Sequence, residues 1–201
     1  MAFHNYKQYW EQRSRKQGPT YVNNIEAKDE VETQRIAIEN LVAHKLTSKL
    51  DIVIDFGCGY GRFIPFWLSN AKQVLAVDIS ATFLDTIGAL SSDVTPIVYT
   101  QPFQIPMKAE SVDLLWAAFA FQHVVEPETF DEAVMELKRL LRRGGRVLLL
   151  ENLFDSAWHV KARPPELFVD RFGLAAGWQV ESVLFDSDDY PHHYLLNGVK
   201  E

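Results

Sequence analysis

Apolar residues arrive along the chain in short blocks, separated by segments whose apolar positions recur at helical spacing. Ile52–Phe56, Gln73–Asp78, Pro96–Tyr99, Val112–Trp116 and Arg146–Leu150 read as buried strands. Glu26–Leu46 sets Ile36, Leu41, Val42 and Leu46 among charges, an amphipathic helix expected to cover one sheet face. Phe63–Ser69 and Ala81–Leu90 read as helices, and Thr129–Leu141 turns Val134, Leu137, Leu140 and Leu141 inward. That helix is expected to end on Arg142-Arg143-Gly144-Gly145, where glycine takes a left-handed cap and the arginines suit the negative end of the helix dipole. Pro164-Pro165 opens a further helix through Ala176, stopped by Gly177. Trp178–Phe185 and His193–Val199 read as two strands turning around Asp188 and Pro191, and a hairpin makes them antiparallel. The pattern predicts an α/β domain of five βα units closed by that hairpin.

The first strand runs on as Val53-Ile54-Asp55-Phe56-Gly57-Cys58-Gly59-Tyr60-Gly61-Arg62: an apolar run, a carboxylate, then glycine at every second position. This order reads as strand, tight turn and helix start. Glycine takes positive φ and lets a ligand lie against the backbone with no Cβ in the way, while the next helix offers unpaired N–H groups. A nucleotide-like ligand fits there. A dinucleotide-binding loop wants G-x-G-x-x-G, and its last glycine is Arg62 here, so the Rossmann dehydrogenase pattern is broken. Asp78 lies about twenty residues beyond the loop, the offset at which such folds place a carboxylate for ribose hydroxyls.

Composition narrows the partners. The 201 residues are 47% apolar with a net charge of −7, enough to bury one full core. That acidity disfavours a broad basic face for nucleic acid and favours a small-molecule substrate. The single Cys58 excludes an internal disulfide, and the polar, aromatic start holds no signal-peptide or membrane-length apolar run, so a cytoplasmic protein with no membrane partner is expected. Oligomeric state stays open.

Gly57, Gly59 and Gly61, preceded by Asp55 and followed by Asp78, resemble the first motifs of class I S-adenosylmethionine (SAM)-dependent methyltransferases. The βα units and closing hairpin are similar to that family's Rossmann-like sheet: seven strands, mostly parallel, the last antiparallel, with helices on both faces. The resemblance covers nearly the whole chain. It implies SAM as cofactor, S-adenosylhomocysteine as product, and a cofactor wall of Asp55, Gly57, Cys58, Gly59, Asp78 and Ile79. Gln104-Ile105-Pro106-Met107, followed by Ser111-Val112-Asp113, is similar to the family's segment before the fourth strand. There an acidic residue four places before the Ile/Leu commonly faces the adenine amino group; here that place is Gln101, whose carbonyl can still accept from an amine. Pro102 has no N–H, which leaves Phe103 as backbone donor to an adenine ring nitrogen, the alternative being a loop that meets adenine through apolar contacts alone.

After the fourth strand, Ala117-Ala118-Phe119-Ala120-Phe121-Gln122-His123-Val124 looks like the family's substrate-side segment, with Ala117 at the cofactor. It is not the N-P-P-[YF] or D-P-P-[YF] tetrapeptide that holds a flipped base, and no cysteine besides Cys58 serves a pyrimidine C5 mechanism. His123 is the candidate general base, its intrinsic pKa close to working pH; the alternative is a histidine that only ties down backbone. Tyr9-Trp10-Glu11-Gln12-Arg13 resembles the Trp-x-x-Arg helix that folds over the cofactor in related small methyltransferases. Trp10 and Arg13 share one helical face, and Arg13 suits the methionine carboxylate of SAM; the alternative is a solvated amphipathic arm. Residues 1–24 are thus expected to form a helical lid over the domain at 25–201.

Open α/β sheets bind ligands at the carboxyl ends of parallel strands, which places Asp55, Asp78, Gln101, Ala117 and Glu151 on one rim. The exit loop of the sixth strand, Asp186–His193, is expected to border the acceptor pocket with Trp158 and His159. Adjacent His192 and His193 point to opposite faces of a strand, so no metal is expected. These residues point to SAM-dependent methyl transfer to an O, N or C nucleophile of a small molecule, with alignment outweighing base catalysis because the sulfonium is already activated. The rival readings are a tRNA- or protein-modifying methyltransferase, an aminopropyltransferase of the same fold and a non-catalytic SAM-fold interaction module.

Overall fold

The computed structural model describes residues 3–17, 28–155, 159–184 and 193–201. The apolar blocks become one seven-stranded sheet: β1 (Leu50–Phe56), β2 (Ala71–Asp78), β3 (Val94–Val98), β4 (Val112–Ala118), β5 (Leu141–Asn152), β6 (Gln179–Val183) and β7 (His193–Val199). Their order is β3-β2-β1-β4-β5-β7-β6. The first five strands run parallel, and β7 is antiparallel to both β5 and β6. The order reverses between β1 and β4, the switch point at which such sheets bind ligands.

Alternating side chains split the core in two. Val53, Val74, Leu114, Trp116 and Leu148 pack under α2 (Lys28–Ala43), α3 (Ile64–Asn70) and α4 (Ala81–Ile87). Ile54, Leu75, Leu115, Val147 and Leu149 face α5 (Pro127–Leu140) and α6 (Pro165–Phe172). In α5 the buried Phe130, Ala133, Val134, Leu137 and Leu140 recur at three- and four-residue steps, the stripe that seats a helix on a sheet. An additional helix, α1 (Phe3–Gln17), precedes these elements.

Several local expectations are corrected. Helix α5 passes straight into β5, since Leu141 is already extended (φ −66°, ψ 124°). Gly144 (φ 71°) turns a loop further on. Arg142 pairs with Asp113 at 2.7 Å, and the carbonyls of Lys138 and Leu141 are met by Lys200 Nζ, at 3.0 and 2.6 Å. Helix α6 stops at Gly173 (φ 65°), before Gly177. Residues 99–111 contain no helix, so four βα units precede the hairpin rather than five. Pro102 and Pro106 oppose helix formation there, and α5 holds the loop: Glu136 accepts the Ile105 N–H at 2.8 Å while Arg139 donates to the carbonyls of Ile105 and Met107 at 3.1 and 3.0 Å. The hairpin turn lies outside the described residues. No described helix is long and apolar enough to cross a membrane.

Candidate functional site

The carboxyl ends of β1, β2 and β4 meet around the glycine loop. Gly57 and Cys58 both donate to the Val77 carbonyl, at 2.8 and 3.1 Å, which folds the loop against β2. Two of the glycines do different work. A Cβ on Gly57 (φ 72°) would lie 2.3 Å from the Cβ of Ala120, so its absence lets the exit of β4 close on the loop. A Cβ on Gly59 (φ 54°) would meet nothing within 4 Å among the described residues. Gly59 therefore presents bare, left-handed backbone to open space, the arrangement that lets a ligand approach closely. Arg62 turns instead toward α2, donating to Gln34 at 2.9 Å and lying 4.6 Å over the Phe63 ring.

Two buried acids end β1 and β2. Asp78 accepts from Gly59 N–H at 2.9 Å and Ser80 N–H at 2.8 Å. Burial pushes its carboxyl up to about 6, against the pull of the Ser80, Gly59 and Ile79 amides and with the help of the Glu11 charge. Asp55 is pushed up to about 8 by burial and by Asp78, with Arg62 opposing. Its Oδ2 is buried with no hydrogen-bond partner among the described residues. An orphaned acid oxygen, an open glycine cradle and a second acid with spare lone pairs fit a cationic, ribose-bearing ligand, since a nearby positive charge favours both ionised carboxylates.

The arm lies against this site by contacts that carry no motif of their own. Glu11 accepts from Ala81 N–H and from the Thr82 hydroxyl, both at 2.7 Å, and the Ser80 hydroxyl donates to that of Ser14 at 3.1 Å. These bonds pin α1 to the first turn of α4, directly after Asp78. Trp10 packs edge-on against His123, with centroids 4.8 Å apart. The Arg13 guanidinium sits 5.5 and 5.7 Å from the Tyr9 and Trp10 rings and hydrogen-bonds the Tyr9 hydroxyl.

His123 lies on a 3-10 turn, Phe121–His123, after β4. Its Nδ1 is 2.9 Å from the His159 carbonyl, which can only accept, so Nδ1 carries the proton and Nε2 the lone pair. The His159 ring stacks on it at 5.3 Å. Burial pulls its pKa down to about 4; the bond to His159 opposes this and the charges of His159 and Arg13 add to it.

The structure gathers Asp55, Gly57, Gly59, Asp78 and a half-buried Ile79 around the loop, with Trp10, Arg13 and His123 on the arm side. Cys58 is buried beneath the loop, its thiol pushed up by burial and by the charges of Asp78 and Asp55. Ala117 is fully buried in the core beside Phe56. The adenine-side expectation needs correction at Phe103, whose N–H donates to Glu132 Oε1 at 2.8 Å and whose ring packs on Tyr99 and Phe56. That donor is already used. Gln101 and Pro102 are exposed, with Gln101 Nε2 3.5 Å from Glu132. Trp158 and residues 186–192 of the exit loop lie outside the described residues. Among the described residues no three side chains assemble as a metal site.

Comparison with known proteins agrees with this geometry. A family model described as a methyltransferase domain matches residues 54–149. A malonyl-[acyl-carrier protein] O-methyltransferase of Enterobacter lignolyticus is 32% identical over 125 residues, covering 62% of this chain and 48% of the relative. A methyltransferase of Geobacillus kaustophilus, named as uncharacterized, is 26% identical over 136 residues, 67% of this chain and 63% of the relative. The chain thus spans between about half and just under two thirds of these curated relatives. The structure of phosphoethanolamine N-methyltransferase 1 of Haemonchus contortus, in complex with phosphoethanolamine and S-adenosylhomocysteine, superposes with a TM-score of 0.68 at 15% identity. It covers 98% of this chain and 48% of that one, a likeness of fold.

Proposed function

From these similarities we propose that this chain is a class I SAM-dependent methyltransferase that transfers the methyl group of SAM to an O, N or C nucleophile of a small molecule. The observation that carries this reading is the open cradle at Gly59 beside two buried acids, one with an oxygen lacking a partner among the described residues. When bound, SAM supplies a methyl group already activated by its sulfonium.

What remains for the chain is to bind, align and exclude water. Gly59 offers backbone without a side chain, and Asp78 keeps lone pairs for ribose hydroxyls beyond the backbone amides it accepts. Asp55 suits a positive group nearby. Trp10 and the α1 arm, pinned by Glu11 and Ser14, close the site from one side. His123 stays neutral at pH 7 with Nε2 as its acceptor, but a pKa of about 4 makes it a weak proton acceptor. Alignment is therefore the main source of rate, worth roughly 7 to 11 kcal/mol when reacting atoms are well placed.

The relatives suggest what to offer as acceptor. One is named for methyl transfer to a malonyl group on acyl-carrier protein and one structure holds phosphoethanolamine, so a carboxylate and a primary amine belong in the panel beside phenols and carbon acids. Incubation with methyl-labelled SAM, read by mass spectrometry for a gain of one methyl group, tests the proposal. Labelled small molecules support it; label confined to tRNA or protein, or polyamine products from decarboxylated SAM, would replace it.

A further inference from the structure

The turn that carries His123 has little in its own sequence to hold it. Phe119 is left-handed (φ 57°), a conformation that favours glycine, and the 3-10 turn that follows is a single turn long. Its order comes from either side. Glu151, at the end of β5 and only 2% exposed, accepts three backbone N–H groups: Ala120 at 3.1 Å and Phe121 at 2.8 Å on Oε1, and Gln122 at 2.9 Å on Oε2. Opposite, the Arg163 guanidinium donates to the carbonyls of Phe121, at 2.8 Å, and Val124. Lys161 N–H donates to Gln122 O at 2.7 Å. The turn's N–H groups meet a carboxylate and its carbonyls meet a guanidinium, charges that match the turn's own dipole.

Arg163 is itself fixed. It lies 4.0 Å over the Phe130 ring, and the Tyr194 hydroxyl donates to its carbonyl at 2.8 Å. The same turn meets the cofactor loop, because Ala120 occupies the space a Cβ on Gly57 would need and Phe121 stacks on Phe56 at 4.8 Å. A buried carboxylate costs free energy unless it is hydrogen-bonded and paired, and an apolar residue of similar size commonly stabilises a core as well or better. Among the described residues the Glu151 side chain hydrogen-bonds to one turn only.

We propose that Glu151, with Arg163 as its counterpart, is a positioning residue for methyl transfer: it fixes residues 120–124 as the wall that aligns the acceptor against the cofactor loop. Glu151 acts through the backbone of the turn and touches neither reactant. The proposal rests on the methyltransferase reading above.

Glu151→Gln tests it. The amide keeps Oε1 for Ala120 and Phe121 but sets an NH2 group against the Gln122 N–H. Three readouts separate positioning from plain stability: nitrogen-edited imidazole spectra of His123, kcat and acceptor KM, and S-adenosylhomocysteine affinity by calorimetry. In Glu151→Gln the Nδ1-protonated signature of His123 is expected to give way to mixed tautomers, and kcat to fall about tenfold or more, with affinity for S-adenosylhomocysteine within about threefold of wild type. Arg163→Lys, which keeps charge but loses the two-carbonyl fork, is expected to move the same signals in the same direction and serves if Glu151→Gln does not fold. His123 spectra and kcat unchanged in a folded variant would overturn the proposal. If wild type methylates nothing, the proposed function fails, and the His123 spectra still decide whether Glu151 positions the turn.

Discussion

Asp78 accepts the N–H of Gly59 at 2.9 Å, so the acid that faces the glycine loop also builds it. Its second oxygen takes the Ser80 N–H at 2.8 Å and starts α4. Replacing Asp78 by alanine therefore removes structural bonds as well as the proposed ligand contact, whereas asparagine keeps one acceptor and drops the charge. Asp78→Asn is expected to weaken SAM binding by about 1.5 to 3 kcal/mol, roughly 10- to 100-fold. Asp78→Ala should lose melting temperature as well, about 2 to 4 °C for each kcal/mol. Calorimetry and thermal melting together check this; full SAM affinity in Asp78→Asn would remove the residue from the site.

The two glycines separate stability from binding. Gly57→Ala places a methyl group 2.3 Å from the Ala120 Cβ and should destabilise the fold by a few kcal/mol. Gly59→Ala meets no atom of the described residues within 4 Å, so its fold cost is that of the left-handed backbone, about 1 to 2 kcal/mol. Its SAM affinity should nonetheless fall at least about tenfold, because the methyl group enters the ligand's space. If Gly59→Ala binds SAM normally, the cradle lies elsewhere.

Much of this was readable from local chemistry. The strands are blocks of apolar residues, and the loop declares itself by glycines that only positive φ and close approach require. What stayed hidden depends on partners distant in sequence. In sequence Phe103 reads as a free backbone donor, but α5 brings Glu132 to its N–H. Trp10 and Arg13 carry the arm's recognisable motif, yet Glu11 and Ser14 pin the arm, because their partners Ala81, Thr82 and Ser80 become neighbours only after folding. Glu151 was legible as a rim residue, while its three amide contacts belong to a turn about thirty residues earlier. Arg142 beside Gly144 resembled a helix cap, but Asp113 from another strand claims it.

Asp55 gives a pH signature. Its folded pKa of about 8 lies above the unfolded value near 3.9, so the folded chain holds the proton more tightly. That stabilisation is fully present below about pH 4 and is lost as pH rises through about 8. Asp55→Asn cannot ionise, so its melting temperature relative to wild type should climb between pH 5 and 9, about 2 to 4 °C for each kcal/mol. Parallel melting curves across that range would show that Asp55 does not titrate there.

The arm should respond to ligand. Hydrogen exchange at residues 6–17 is expected to slow when S-adenosylhomocysteine is added and to quicken in Glu11→Ala, which releases Ala81 and Thr82. Equal protection with and without ligand would leave α1 as ordinary packing.

His123 is expected to contribute through placement. With a pKa held down to about 4 it stays neutral above about pH 5, so the pH profile of kcat should show no inflection near 6.5. His123→Gln should cost less than about tenfold in kcat. A loss of about 100-fold with SAM binding intact would make it the general base instead.

The central claim, that the Gly59 cradle and its two acids receive SAM, is tested most directly by calorimetry of the wild-type chain with SAM, S-adenosylhomocysteine and NAD in turn. One-site binding of SAM and its product at micromolar levels, with no heat from NAD, is the result expected from a broken dinucleotide loop beside Asp55 and Asp78. No binding of SAM at millimolar concentration, or binding of NAD as tight as that of SAM, would contradict it.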